Sequence, residues 1–237
     1  MVRVGLLFAL ILGSILECPG QEAGVTGRTA SLAPILEVLA KENLSGSLEF
    51  SGSCPAGYTP DLPALRRAST TGHSAIQTLR ELFGGDPAMK LTKDEDGVIR
   101  MTEVIPTDIL NMRISHASFD GSSEAGKPWA AYNPNAALSL ILHLPEVASF
   151  MRDHHIELPS QGAGVPGNIS GRWSPDAPHI SESFENITLS DAMDRILNTF
   201  PGMWIYENCP ATRHKDREVH FLFVRLQRVG STVFVVE

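Results

Sequence analysis

Thr188 to Phe200, TLSDAMDRILNTF, is a helix with both ends written into it. The Thr188 hydroxyl suits an N-cap, and Asp191 three residues on resembles the acidic half of a capping box. Leu189, Ala192, Met193, Ile196, Leu197 and Phe200 recur at helical spacing and form one apolar stripe. Asp191, Asp194, Arg195 and Asn198 fall largely off it. Pro201-Gly202 stops the helix, because proline lacks the N–H and glycine frees the turn. Met203 to Tyr206 has strand composition, Asn208 to Arg217 reads as a loop, and Glu218 to Val224 as a returning strand. On that strand Val219, Phe221 and Phe223 share a face. Ahead of the helix, His179 to Phe184 reads as a strand, so the unit is β-α-β-β.

The same pattern occurs earlier. Ser74 to Phe83 carries its apolar residues at 75, 76, 79, 82 and 83, and Gly84-Gly85 ends it. Met89 to Leu91 and Val98 to Met101 read as a hairpin around the turn Asp94 to Gly97. Ala75, Leu79 and Phe83 match Ala192, Ile196 and Phe200 at constant spacing. Another helix precedes each unit, Leu32 to Ala40 and Asn135 to His154. We read an internal duplication and expect an α+β fold. Two small modules, 29–119 and 135–237, would each pack helices on a short, mostly antiparallel sheet. The polar, Gly/Ser-rich stretch 120–134 would link them.

Between these landmarks, Ser47 to Ser51 alternates as a short strand, and Cys54 to Pro63 is a Pro/Gly loop. Val104 to Phe119 fits neither helical nor strand period. Asn135 to His155 is apolar enough for a buried helix, which Pro145 splits after Leu144. Pro159 to Pro178 is a loop, and Val233 to Val236 an apolar tail.

The N-terminus reads as a signal peptide over 1–23: Arg3, then an apolar run from Val4 to Leu16, too short for a membrane span. An uncleaved anchor is the alternative; a lipidated Cys18 fits poorly after Glu17. No second hydrophobic span follows, so no stable membrane span is expected after cleavage. The formal charge of −8 argues against nucleic acid and anionic lipid, both of which need basic surface. Past Cys18, Cys54 and Cys209 remain, an even pair in an exported chain. A bridge would tie the first module to the second, with about 4–5 kcal/mol from loop entropy; two free thiols are the alternative.

Reactive motifs fare poorly. Gly162 to Gly167 spells GxGxxG, but no strand leads in and Pro166 interrupts it, so a loop is the better reading. Asp153, His154 and His155, with His143, could ligate a metal; histidines at a polar helix end explain them more simply. Ser74 follows Gly72-His73 as in a nucleophile elbow, but Ser74 or Thr71 reads better as a helix cap. Asp94, Glu95 and Asp96 before Gly97 read as a turn rather than a calcium loop. The cysteines lack a neighbouring histidine other than His214. Trp204 belongs in a core; Trp129 and Trp173 lie in loops and are candidate surface contacts. Asn43, Asn168 and Asn186 head glycosylation sequons, and Asn186, beside the helix cap, looks structural. No residue is assigned to catalysis, a cofactor or a metal.

The phrase Phe184-Glu185-Asn186-Ile187-Thr188-Leu189-Ser190-Asp191-Ala192-Met193-Asp194-Arg195-Ile196-Leu197, followed by a hairpin, resembles the short N-terminal domain of secretins and TonB-dependent receptors. The unit Leu32 to Met101 has a similar order. The resemblance implies a small periplasmic α+β domain of two β-α-β halves. No barrel, plug or secretin segment follows, and the insert 104–134 is long, so only an interaction module is implied. The expectation is therefore a periplasmic or secreted, non-enzymatic protein that binds another envelope or secreted protein. The competing class is a secreted hydrolase, with or without a metal, using His143, His154 or His155 between the modules. A purely structural envelope component is a third.

Overall fold

The computed structural model describes residues 27–52, 62–68, 72–119, 128–158, 177–212, 215–229 and 232–236. The fold is α+β. The helices are α1 (Gly27–Lys41), α2 (Ala75–Leu82), α3 (Pro134–Leu142), α4 (Pro145–Asp153) and α5 (Leu189–Thr199), with a 3-10 turn at Pro128–Tyr132. The strands are β1 (Gly46–Ser51), β2 (Lys90–Lys93), β3 (Ile99–Thr102), β4 (Arg113–Ala117), β5 (Ile156–Glu157), β6 (Phe184–Thr188), β7 (Gly202–Cys209), β8 (Arg217–Val229) and β9 (Thr232–Val236).

Local chemistry sets most of these boundaries. Thr188 accepts from the Asp191 N–H and Asp191 returns the bond to the Thr188 N–H, so α5 begins with a full capping box. Ser74 and Gln77 do the same for α2. Pro145 stands at the first turn of α4, and the helix splits there. The undecided segment 104–119 is a turn followed by β4. The strand expected at 179–184 comes later, at β6, where Phe184 is buried; Ser181, Glu182 and Ser183 before it are exposed. Polar residues outside the sheet have no reason to form a ladder.

Strands from both halves of the chain meet in one seven-stranded sheet, ordered β2-β3-β1-β7-β8-β5, with β9 also on β8. The strand β1 lies between β3 and β7 and runs parallel to both: Leu48 stands beside Met101 on one side and Ile205 on the other. Two modules with a sheet each are therefore not what forms. The division at 120–134 does not separate two cores either, because β4 pairs with β6 across it in a second, two-stranded sheet. The two hairpins also dock in opposite senses. The hairpin after α2 presents its second strand, β3, to β1, and the one after α5 presents its first, β7.

Helices cover both faces of the main sheet. On one face α1 and α2 pack on Leu48, Phe50, Met101, Ile205 and Val224. On the other, α3, α4, α5 and the small sheet pack on Trp204, Tyr206, Val219, Phe221 and Phe223. Every residue of β7 is buried, as a strand covered on both faces must be. Gly202 begins it because a side chain would meet the Val224 carbonyl oxygen at 2.2 Å.

Candidate functional site

The face of β1 and β3 that meets α5 is polar. Ser47 and Glu49 on β1, with Arg100 on β3, point to the α5 side, and Ser47 and Glu49 are buried. Arg100 donates to Ser190 at 2.8 Å and to Asp194, and lies 3.6 Å from Glu49 and 3.7 Å from Asp94. The Trp204 indole N–H donates to the other oxygen of Asp194 at 2.7 Å. Desolvation raises the Asp194 pKa to about 6, although attraction to Arg100 and the indole bond pull it back. Burial also pushes Glu49 up, against the attraction of Arg100. This knot joins α5 to β3. Asp194 was expected off the apolar stripe; instead it is buried, because the surface α5 covers carries a guanidinium.

A second polar group closes the carboxyl ends of β1 and β7. Arg217 donates to both oxygens of Asp108, at 2.7 and 2.8 Å, to Asn208 at 2.6 Å and to the Tyr206 hydroxyl at 2.8 Å. Tyr206 in turn donates to the Pro106 carbonyl at 3.1 Å. Burial pushes the Tyr206 hydroxyl up to about 12, against the pull of Arg217. Burial alone would lower the Arg217 guanidinium, but Asp108 and Tyr206 outweigh it and hold it above its ordinary value. On the opposite face His220 is set between two carboxylates. Its Nδ1 lies 3.4 Å from Glu207, its Nε2 3.2 Å from Glu218, and Lys215 pairs with Glu218. Glu207, Glu218 and His220 are all buried.

The charged groups are paired with one another. Arg217 is spent on Asp108, and Lys215 on Glu218. Cys209 nearby is disulfide-bonded, which withholds its sulfur from thiolate chemistry. Cys54 lies outside the described residues. Among the described residues, no three or more His, Cys, Asp or Glu side chains are grouped to hold a metal ion.

The sheet's margins differ. At β8, the Asn135 side chain accepts from the Phe223 N–H at 3.0 Å and donates to the Phe223 carbonyl at 3.3 Å, occupying the outward backbone groups there. At the other margin β2 is exposed, apart from a half-buried Leu91. Ile99 donates its N–H to Ser45, just before β1, and Glu103 to Glu49, so the backbone groups of Arg100 and Thr102 face β2. Their partners Thr92 and Lys90 are then turned inward, and the backbone groups of Leu91 and Lys93 face out. A cavity of about 440 Å³ opens at the amino ends of β1, β3 and β7, walled by Asn43, Leu44, Asp96, Leu197, Asn198 and Leu226 among others.

The residues singled out from sequence scatter. His143 caps α3 and its Nδ1 lies 2.6 Å from the Ser139 carbonyl. His154 caps α4, bonds the Phe150 carbonyl at 2.9 Å and stacks on the Phe150 ring. His155 has a left-handed backbone and lies 3.9 Å from Asp216. Each is engaged at a helix end. Ser74 is a cap, and Asp94 accepts from the Val98 N–H at 2.8 Å, closing a turn. Asn186 is held by Arg113 through its carbonyl and side-chain oxygens. Trp204 is buried. Trp129 sits in the 3-10 turn; Trp173 and the 162–167 glycines lie outside the described residues. Sequence reasoning missed Asp194, Arg217 and His220. His220 alone carried a signal, a polar residue between Val219 and Phe221 in a strand; Asp194 and Arg217 have charged neighbours. No helix among the described residues is long and apolar enough to cross a membrane. No protein-family model, curated protein or solved structure matches the chain.

Proposed function

We propose that the chain is an exported, non-enzymatic interaction module of the periplasm or cell envelope. Its partner is another envelope protein, which adds an extended segment to the outer edge of β2. The observation that carries this reading is the outward-facing backbone of Leu91 and Lys93 on an exposed edge. The interior charges support it, since they are spent on one another rather than aimed into a cleft. A disulfide at Cys209 suits an oxidising compartment, in keeping with the signal-like N-terminus. The resemblance to the secretin and TonB short N-terminal domain points the same way.

Lys93→Pro tests it. The substitution removes an outward N–H and leaves the bonds between β2 and β3 in place. Mature protein is crosslinked in its own envelope, captured, and the crosslinks mapped by mass spectrometry. The expected result is one dominant envelope partner crosslinked within 86–97, lost by about tenfold in Lys93→Pro and retained in Lys93→Thr. Equal capture by both variants, or recovery of the protein alone, would refute the reading.

A further inference from the structure

The cavity at the amino ends of β1, β3 and β7 has a composition suited to one kind of side chain. Leu44, Leu197 and Leu226 give it apolar walls, and Asn43, Asn198 and Asp96 bring polar groups. Among the described lining residues one is acidic and none is basic. Two helices end there: Ala40 belongs to the last turn of α1, and Leu197 and Asn198 to that of α5. Lys41 offsets the partial negative charge at the end of α1, but α5 has no basic residue in its last turn, so its carboxyl end adds to the charge of Asp96. An aliphatic stem ending in a cation matches such a surface, with the methylenes against leucine and the charge among oxygens. An acidic side chain would be repelled by Asp96, which is exposed at the rim, and a neutral apolar one would gain nothing from it.

The cavity is also placed to meet a chain lying on β2. Asp94 to Gly97 is the turn that follows β2, and its Asp96 and Gly97 form part of the cavity wall. A strand added along β2 therefore ends, at the Lys93 side, beside this opening.

We propose that the cavity receives a lysine or arginine side chain of the partner polypeptide, the residue that leaves the β2 edge at the Lys93 end. This rests on the edge-binding reading above and adds what the partner must carry.

The test uses mature protein with labelled leucine methyls, titrated with Nα-acetyl-arginine methylamide, Nα-acetyl-lysine methylamide and the uncharged Nα-acetyl-norleucine methylamide. The basic compounds are expected to shift the Leu44, Leu197 and Leu226 methyls at millimolar concentration, with norleucine at least threefold weaker. Asp96→Asn, which replaces the Asp-Gly turn by an equally turn-compatible Asn-Gly pair, should weaken the basic compounds by about threefold, in line with one exposed ion pair, and leave norleucine unchanged. Asn198→Trp should fill the opening and abolish the shifts. No shift with either basic compound, or equal binding of norleucine, overturns the proposal. Lys93→Pro separates the two readings. If the probes bind and capture is unaffected by this variant, the edge reading fails alone; if capture falls and the probes do not bind, the cavity proposal fails alone.

Discussion

Asp194 shares its carboxylate between Arg100 and the Trp204 indole, and burial decides its protonation. Its folded pKa of about 6 stands above the ordinary 3.8, so the folded state binds the extra proton between those values. The stability this contributes is fully present below about pH 4 and is lost as pH rises through about 6. The two-unit shift amounts to about 3 kcal/mol at most, at about 1.4 kcal/mol per unit. Asp194→Asn removes this dependence. The stability of the wild type minus that of the variant, from urea unfolding, should fall by about 1–3 kcal/mol between pH 4 and pH 7. A difference that stays flat or rises with pH would show that the pair with Arg100, not burial, governs the site. Such residues were hard to read beforehand. Asp194 off an apolar stripe looks like a solvent-facing charge until the guanidinium opposite is known, and that lies 94 residues away.

At the scale of elements, Asn135 is a side chain doing a strand's task. It supplies one donor and one acceptor to Phe223, where a neighbouring strand would otherwise lie. Asn135→Ala leaves a part-buried N–H and carbonyl without these bonds and should cost about 1–3 kcal/mol. It should also open the β8 margin to self-association, read as concentration-dependent sedimentation. A variant that unfolds at the wild-type urea midpoint and stays monomeric would assign the covering to α3 as a whole. Elements with local determinants were legible: α5 through its capping box, α2 through its Ser74 cap and the Gly84-Gly85 stop, the split between α3 and α4 through Pro145. The strand β4 was not, because it pairs with β6 through four residue pairs in a two-stranded sheet, and neither strand shows a long alternation. The hairpins were visible; which strand of each would face β1 was not, since periodicity fixes faces and not neighbours.

Across the whole molecule, β1 joins what looked like two units. Six registered positions link it to β7 and four link it to β3. Two independent cores would melt separately; a shared central strand predicts one transition. A calorimetric scan of the oxidised protein should give one peak, with calorimetric and van't Hoff enthalpies in agreement. Two separable peaks would mean that the β1–β7 seam is too weak to couple the halves. The candidate cavity depends on the same seam, for its walls come from α1 and the β2–β3 turn on one side and from α5 and β8 on the other. No pattern within either half announces it.

The position of β1 also sets an order of events during synthesis. Gly46–Ser51 emerges early, and α2 and β3 can join it soon after, but β7 follows only after most of the chain has been made. Through that interval one margin of the future central strand has no native neighbour. Pairings between residues so distant in sequence close slowly. Ser47 and Glu49 keep that waiting strand from being a continuous apolar ribbon, and in the finished sheet the same two positions lie on the face that α5 covers with Ser190 and Asp194. The polar knot at the centre of the fold thus doubles as protection against premature association while the nascent chain waits for its second half.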